Sequence, residues 1–537
     1  MTEIELPPDP ARIIEGLRDT GYSFDTAMAD LIDNCIEAGA SRVDIEITTA
    51  MDGQPVVVIS DDGCGMNVEE LIHAMQYGSP LNAKRKLSKF GLGMKTASTA
   101  FCRRLVVTSR GKDGEISSRA WDLDYIAESG KWLLQNPLPD QVDIDALENC
   151  AGSGSGTVVR WDKIDRLMGQ KAAAALAEGK LTRALNSLSR REQELRIHIG
   201  TVFSRYLQEW NGRPPMEIYV NGQAVEPWDP FCSSEEKTIP VFSKTVPIEK
   251  EDGDNTSFDV QSVVIPPKGS YSSASAASAA RISNENQGIY VYREDRLIHG
   301  PDWLRIVRQE PHYSLARVNF SFTQDLDEAF NVDIKKSRIE LQDSIYEFIK
   351  DKVMPPVRKI ADDTYRGEKR NQANKRAGSL HSGSNQILSR RSPELQGSKI
   401  ESIDEEAQTA TILNSTGRVT IAISPILDEE DSSVYIRPRS SIDDGLLWNP
   451  TVLEEHVAVD INTSHPFYER VYLPSRSDSV VQAFDYLLWA LANAELHVLS
   501  ESHKAALMDL RYDASRRLRA LAMELPEPKE SDFEENA

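Results

Sequence analysis

The chain has 537 residues, 40% hydrophobic and 27% charged, with 61 Lys+Arg against 84 Asp+Glu and a formal net charge of −23. This is the make-up of a globular protein of roughly two to four domains, and it excludes a surface that binds nucleic acid everywhere. No apolar run approaches the ~18 residues of a membrane-spanning helix, the start MTEIELPPDPARIIEGL lacks the basic and apolar regions of a signal peptide, and five scattered cysteines never form CxxC, which predicts a cytoplasmic protein with no membrane association, disulfide framework or zinc site.

Residues 24–38 read as a helix stopped by Gly39. The alternating strand RVDIEI and the buried-strand run VVVIS follow, the second ending in a DDG turn; the strand TVVRW closes this first segment near residue 165. Residues 172–210 are helical in pattern, rich in Ala, Leu, Arg and Glu. Strand text resumes in MEIYVNGQAVEPWDPF, with Asn221-Gly222 at a hairpin turn, and in SFDVQSVVIPP and GIYVYREDRLI; SYSSASAASAA between these reads as a low-complexity loop. A helix over about residues 342–364 ends the second domain. Residues 366–399 hold eight Lys/Arg and two acidic residues with few apolar ones, which predicts a flexible basic linker over 366–404. Strands near RVTIAI, SVYIRP and HVAVDIN and then two helices predict a small α+β domain over 405–524, and an acidic tail fills 525–537.

Four pieces of the first segment carry chemistry. In MADLIDNCIEAG, the apolar residues Met28, Leu31, Ile32, Cys35 and Ile36 share one helical face, and Asp30, Asp33, Asn34 and Glu37 share another. Alone, the second set would be an ordinary solvated acidic face. Asp61-Asp62-Gly63-Cys64-Gly65-Met66 follows a buried strand, where two glycines admit a flat ligand and a carboxylate can accept an exocyclic amine. Lys89-Phe90-Gly91-Leu92-Gly93-Met94-Lys95-Thr96 precedes a helix, where glycines free backbone N–H groups for phosphate and the lysine adds charge. A P-loop is absent, because Met94 rather than Gly precedes Lys95. Last, residues 152–156 lead through Thr157 into a strand.

In this order and on these elements, the four pieces resemble the gyrase/MutL/histidine-kinase/heat-shock-chaperone (GHKL) superfamily, and ADLIDN, SDDGCGM and FGLGMKTAS look most like its MutL and MORC branches. The resemblance implies an α+β protein: an N-terminal α/β-sandwich ATPase of the Bergerat type over 1–165, an α/β, S5-like transducer domain over 166–365, and the C-terminal α+β domain. It implies ATP and Mg²⁺ as cofactors, with Asn34 binding Mg²⁺, Asp61 reading the adenine amine, Gly63, Gly65 and Met66 forming the base pocket, and Thr157 supporting the adenine side. Residues 78–88, from Gly78, would form a mobile lid, and Gly91, Leu92, Gly93, Met94 and Lys95 would cradle the phosphates. Asp30 would be the general base, where the family pattern has Glu; the shorter side chain predicts slow turnover. Asp33 is the competing carboxylate, about 100° away around the helix.

AFNVDIKKSRIEL resembles the transducer loop that supplies a lysine to the γ-phosphate, with Lys336 aligning best and Lys335 beside it. Arg293 and Arg296 in YREDRLI read as surface arginines, or as residues for closure or DNA contact. His465 in VDINTSHPFYERVY has no metal-ligand spacing and reads as structural. The resemblance implies an ATP-gated conformational switch that forms an ATP-dependent homodimer and acts with DNA and partner proteins; the alternative is a nucleotide-sensing or chaperone-like clamp. Only 29 residues precede Asp30, which leaves no room for a histidine kinase's phospho-acceptor hairpin.

Overall fold

A computed structural model describes residues 9–19, 21–50, 53–78, 87, 93–169, 181–249, 255–327, 343–395, 397–404, 407, 409–414, 417–422, 434–442, 445–453, 456–475, 478–496, 498 and 500–526. The elements of the first half are α1 (Pro10–Arg18), α2 (Phe24–Glu37), β1 (Arg42–Thr49), β2 (Pro55–Asp61), α3 (Val68–Met75), α4 (Gly93–Thr99), β3 (Cys102–Arg110), β4 (Ile116–Asp122), α5 (Leu123–Ser129), α6 (Gln141–Ala151) and β5 (Gly156–Ile164). A helix Leu181–Val202 follows, then β6 (Glu217–Val220) and β7 (Gln223–Ala224). Helix α2 opens on Ser23, whose hydroxyl accepts the N–H of Thr26, and stops at Gly39, whose φ of +72° a side chain would resist. Asn67 and Glu70 form a reciprocal capping box at the start of α3.

The strands make one seven-stranded sheet in the order β4-β3-β5-β2-β1-β6-β7, antiparallel except where β6 runs parallel to β1. Period-2 alternation decides its two faces. Ile45, Ile47, Val57, Ile59, Val107 and Trp161 join the core that contains α2, α4 and the Leu181–Val202 helix, while Val58 and Val158 point the other way and pack beneath Leu147 of α6. Strand β2 is therefore covered on both sides, as its unbroken apolar run predicts.

The expected boundary at residue 165 differs from this arrangement. Strand β6 pairs Arg42 with Glu217 and Ile45 with Val220, so a strand expected in the second domain completes the first sheet. The predicted turn is present, with Asn221 and Gly222 at φ of +47° and +73°.

The second sheet contains β8 (Ile239–Glu249), β9 (Asn255–Val264), β10 (Gly288–Arg293), β11 (Arg296–Asp302) and β12 (Ala316–Phe322), in the order β11-β10-β12-β9-β8. Its core includes Phe258 and Phe320, stacked with ring centroids 4.6 Å apart. The expected low-complexity loop holds a short helix, Ala274–Ala279, because Ser273 caps it by accepting the N–H of Ala276 and alanine needs no partner to favour a helix.

The chain forms two compact units, Met1–Asp363 and Thr364–Ala537. The segment expected to be a flexible linker is largely helical, in Met354–Leu380 and Ser382–Leu395. It is poor in apolar residues, yet Arg, Lys, Gln, Glu and Ala are all good helix formers, so its polarity was a poor guide to disorder. Among the described residues, the second unit has two three-stranded sheets, Ser398–Asp404 with Thr409–Asn414 and Gly417–Ala422, and Ile436–Arg439 with His456–Asn462 and Trp448–Leu453, followed by helices Asp478–Leu496 and Glu501–Met523. His381 is buried between Asp485 at 2.8 Å and the Tyr468 hydroxyl at 3.0 Å, which ties three separate elements together. His465 is fully buried, with Nε2 at 3.1 Å from the Ser515 carbonyl; burial pushes its imidazole down to about 4, so it is neutral and holds the core. Among the described residues, no helix is long and apolar enough to cross a membrane.

Candidate nucleotide site

The carboxyl end of β2 delivers Asp61 to a buried position, 6% exposed. Its Oδ1 accepts the Gly63 N–H at 2.9 Å, Thr157 lies beside it on the neighbouring strand β5, and Ser109 lies beside Thr157 on β3. Burial first, and the adjacent Asp62 to a lesser degree, raise the Asp61 carboxyl to about 6; the Gly63, Cys35 and Thr157 hydrogen bonds oppose the rise. A β-carbon on Gly63 would lie 2.8 Å from Asp61 Oδ1 and 2.7 Å from the Ala38 β-carbon. Gly65 has φ of +61°, and a β-carbon there would overlap the Arg110 carbonyl oxygen. Gly63 lets the DDGCGM turn fold back against the end of α2, where the Cys64 N–H reaches the Ala38 carbonyl at 3.0 Å, and Gly65 lets it lie against the Arg110 and Gly156 backbone.

Substituting Gly65→Ala is expected to destabilise the chain by at least about 2 kcal/mol, from left-handed strain plus the backbone overlap. An unchanged midpoint in thermal unfolding would contradict that reading of the turn.

Two residues that sequence inspection passed over organise this corner. The Ser109 hydroxyl lies within hydrogen-bond reach of the Met66 N–H (2.9 Å), the Gly156 carbonyl (3.0 Å) and the Thr157 hydroxyl (3.0 Å). Arg110 donates to the carbonyls of Gly154 at 2.6 Å and Gly152 at 2.5 Å and so fixes the glycine-rich loop before β5. Their sole signal in the sequence is the register of VVTSR against GTVVRW, which no local pattern exposes.

Helix α2 supplies the other half of the site. Its acidic face is not solvated: Asp30 is 6% and Asp33 1% exposed. Asn34 donates its amide N–H to the Asp30 backbone carbonyl at 2.9 Å, which turns its side-chain oxygen outward from that bond. Asp30 Oδ2 accepts the Tyr22 hydroxyl at 2.9 Å, and a β-carbon on Gly93 would lie 3.7 Å from the same oxygen. The Asp30 carboxylate thus faces the first residue of α4. Burial, and then the Asp30 charge, push the Tyr22 phenol well above its ordinary range, so it stays a donor.

The Lys95 side chain turns toward α3. Its ammonium donates to the Ala74 carbonyl at 2.9 Å, lies 5.9 Å from the Tyr77 ring and is buried. The reason is the negative end of α3: Ala74 sits in its last turn, and the lysine satisfies a carbonyl there. Met94 is half-buried against the core, and Gly78 is exposed at φ of +71°. Gly91, Leu92, Lys335 and Lys336 lie outside the described residues, as does most of the expected lid.

Arg293 and Arg296, which the sequence leaves as surface residues or as residues for closure or DNA contact, are buried, at 4% exposure each. Arg293 pairs with Asp327, Nε to Oδ1 at 2.5 Å, and Arg296 donates Nε to Asp33 Oδ1 at 2.8 Å. Among the described residues, no cluster of three or more His, Cys, Asp or Glu forms a metal-binding group; a magnesium ion bound beside phosphates needs few protein ligands, and the Asn34 side-chain oxygen is a hard donor of the right kind.

Residues 22–157 match the family of histidine kinase-, DNA gyrase B- and HSP90-like ATPases, and this segment is a domain of that GHKL type. The chain is similar to Protein MICRORCHIDIA 4 of Arabidopsis thaliana, 33% identical over 150 residues, which are 26% of this chain and 18% of that protein. It is also similar to the DNA mismatch repair protein MutL of Paramagnetospirillum magneticum, 33% identical over 103 residues (18% of this chain, 16% of that one), and to the ATPase morc-1 of Caenorhabditis elegans, 30% identical over 93 residues (17% and 11%). The aligned stretches therefore span less than a fifth of these relatives. A crystal structure of the N-terminal domain of a DNA repair protein aligns with 67% of this chain and 99% of its own at 14% identity, but with a TM-score of 0.39 the likeness is loose.

Proposed function

We propose that the GHKL-type ATPase domain of residues 22–157 binds ATP with Mg²⁺, hydrolyses it slowly, and makes this chain an ATP-dependent homodimeric switch acting in DNA transactions. The observation that carries the reading is the placement of the Asp30 carboxylate against Gly93, one helical turn from the Asn34 side-chain oxygen, on a helix whose Cys35 and Ala38 touch the Asp61 corner. Asp61 accepts the adenine amine, with Gly63, Gly65, Met66 and Thr157 around the base. Asn34 offers its oxygen to Mg²⁺. Asp30, held by Tyr22, takes the proton of the attacking water. In this reading residues 91–95 serve as the phosphate cradle, residues 78–88 as the lid and Lys336 as the γ-phosphate contact. The bound Mg²⁺ would neutralise phosphate charge; the chain's own residues orient and deprotonate. Action on DNA rests on similarity to MutL and MORC proteins over the ATPase segment.

A second reading, a nucleotide-sensing clamp with little hydrolysis, is favoured by one fact: Asp30 is a short carboxylate already bonded to the Tyr22 hydroxyl.

Mg²⁺-dependent ATP hydrolysis, measured with and without DNA, separates the two. Turnover that rises with DNA supports the first. Binding and dimerisation by light scattering in a non-hydrolysable analogue, without turnover, supports the second; no nucleotide binding at all defeats both. Asn34→Ala is expected to weaken ATP binding about tenfold or more in Mg²⁺ and to leave affinity in EDTA unchanged, because the lost group is a metal ligand. Equal losses in both buffers would remove Asn34 from the metal.

A further inference from the structure

The second sheet reaches helix α2 through Arg296. The β10–β11 hairpin turns at Glu294 and Asp295, both at positive φ, and its tip is gripped by the body of the first sheet. The Tyr206 hydroxyl donates to the Glu294 carbonyl at 2.7 Å, and Trp210 Nε1 donates to Asp295 Oδ1 at 3.0 Å. Arg205 lies over the Tyr292 ring at 3.5 Å and donates to Asn319 at 2.8 Å. Directly after the tip comes Arg296. Its guanidinium lies 5.6 Å from the Phe203 ring centroid, donates to Asp33 at 2.8 Å and brings Nη2 to 3.6 Å from Asp30 Oδ1. Arg296 lies outside residues 22–157, the segment shared with the ATPase family.

We propose that Arg296 is a positioning residue for hydrolysis: it spans the Asp30–Asp33 carboxylate pair, so that the seating of the second sheet fixes where the Asp30 carboxylate lies. The proposal rests on the reading of Asp30 as the base. Two buried carboxylates less than one turn apart on α2 repel each other, and a planar fork with several donors can hold both at once, which a lysine ammonium on its flexible stem cannot. Tyr22 fixes Asp30 Oδ2 from one side and Arg296 approaches Oδ1 from the other. A carboxylate hydrogen-bonded at one oxygen and faced by a guanidinium at 3.6 Å from the other has little freedom, and a displacement of about 1 Å at a reacting group costs roughly 100-fold in rate. The arrangement makes the ATPase domain dependent on its neighbour: the hairpin must be docked for the base to be in register.

The test uses the full chain carrying Asp33→Asn together with Arg296→Gln, which removes a buried ion pair as a neutral unit and is expected to keep the thermal midpoint near that of the wild type. The expected result is a kcat lower by about 10- to 100-fold, with the affinity for a non-hydrolysable ATP analogue within about twofold. A nucleotide-free crystal structure of the same variant should show the Asp30 carboxylate moved off the Tyr22 hydroxyl. A folded double variant with wild-type kcat, or with Asp30 unmoved, overturns the proposal. Should that variant fail to fold, Arg296→Lys keeps the charge and is expected to lose about tenfold in kcat at unchanged affinity; wild-type kcat in folded Arg296→Lys overturns it equally. Asp30→Asn is run alongside: wild-type turnover there removes the base itself, a failure distinct from that of Arg296. A wild-type chain that binds nucleotide without any turnover removes both.

Discussion

Replacing Asp30 by Asn is expected to cut ATP turnover by about 100-fold or more and to leave the affinity for a non-hydrolysable analogue within about twofold. Asparagine has almost the same shape, and its side-chain oxygen can still accept the Tyr22 hydroxyl that now bonds to Asp30 Oδ2 at 2.9 Å. The backbone carbonyl of residue 30, which receives the Asn34 amide, is untouched. What disappears is the ability to take a proton, so the loss should fall on kcat alone. Asp33 is the alternative base, and its geometry argues against it: it is 1% exposed and committed to Arg296 at 2.8 Å. Arg296 donates a hydrogen bond to Asp33 but stands 3.6 Å from Asp30 Oδ1, so Asp33 has the more firmly held carboxylate and is the poorer base. Single-turnover hydrolysis with excess protein gives the decisive number. If Asp30→Asn keeps a third or more of wild-type turnover while Asp33→Asn abolishes it, the roles are reversed.

How much of this was legible beforehand differs by length scale. The Asp61 corner reads directly from text, because its determinants are consecutive: a strand that must end, a carboxylate at its end, and glycines at positions where a β-carbon would meet Asp61 itself or the Arg110 backbone. Helix α2 was legible in its periodicity but ambiguous in its chemistry. The same spacing that puts Asp30, Asp33 and Asn34 on one face describes a solvated helix equally well, and only the burial of that face against α4 and the second sheet decides the matter. Strand β6 was legible as a strand but not as a member of the first sheet, since its partner β1 precedes it by some 170 positions and parallel pairing leaves no hairpin signature. The burial of Arg296 is hidden in the sequence for the same reason: its partner Asp33 lies 263 residues away. Lys95 is a different case. The pattern placed it correctly at the start of α4, but a helix position does not say which way a long side chain turns, and the unsatisfied carbonyls at the end of α3 draw it inward. Local chemistry survives in sequence; contacts closed over long loops do not.

Asp61→Asn is expected to move binding and stability in opposite directions. A carboxylate hydrogen bond to the adenine amine is stronger than a neutral one by about 1–2 kcal/mol, so the loss of charge should weaken ATP by roughly 5- to 30-fold. Stability goes the other way. Burial raises the Asp61 carboxyl to about 6, against an ordinary value near ~3.9, so the folded chain holds this proton more tightly than the unfolded chain does. The sign follows from linkage. Stability associated with the protonated form is fully present below about 4 and is lost as the pH rises through about 6, above which the ionised buried carboxylate carries a constant cost of up to about 3 kcal/mol. Asparagine never ionises and can still accept the Gly63 N–H, so it avoids that cost. Chemical denaturation should therefore find Asp61→Asn more stable than wild type at pH 7.5 by about 2 kcal/mol, with the gap narrowing at pH 5. A simple packing defect would lower stability and binding together at every pH, and that outcome would make Asp61 a structural residue. Greater stability with lost nucleotide has a narrower explanation: the charge at the end of β2 is held in the fold at a cost, and what it serves is the ligand.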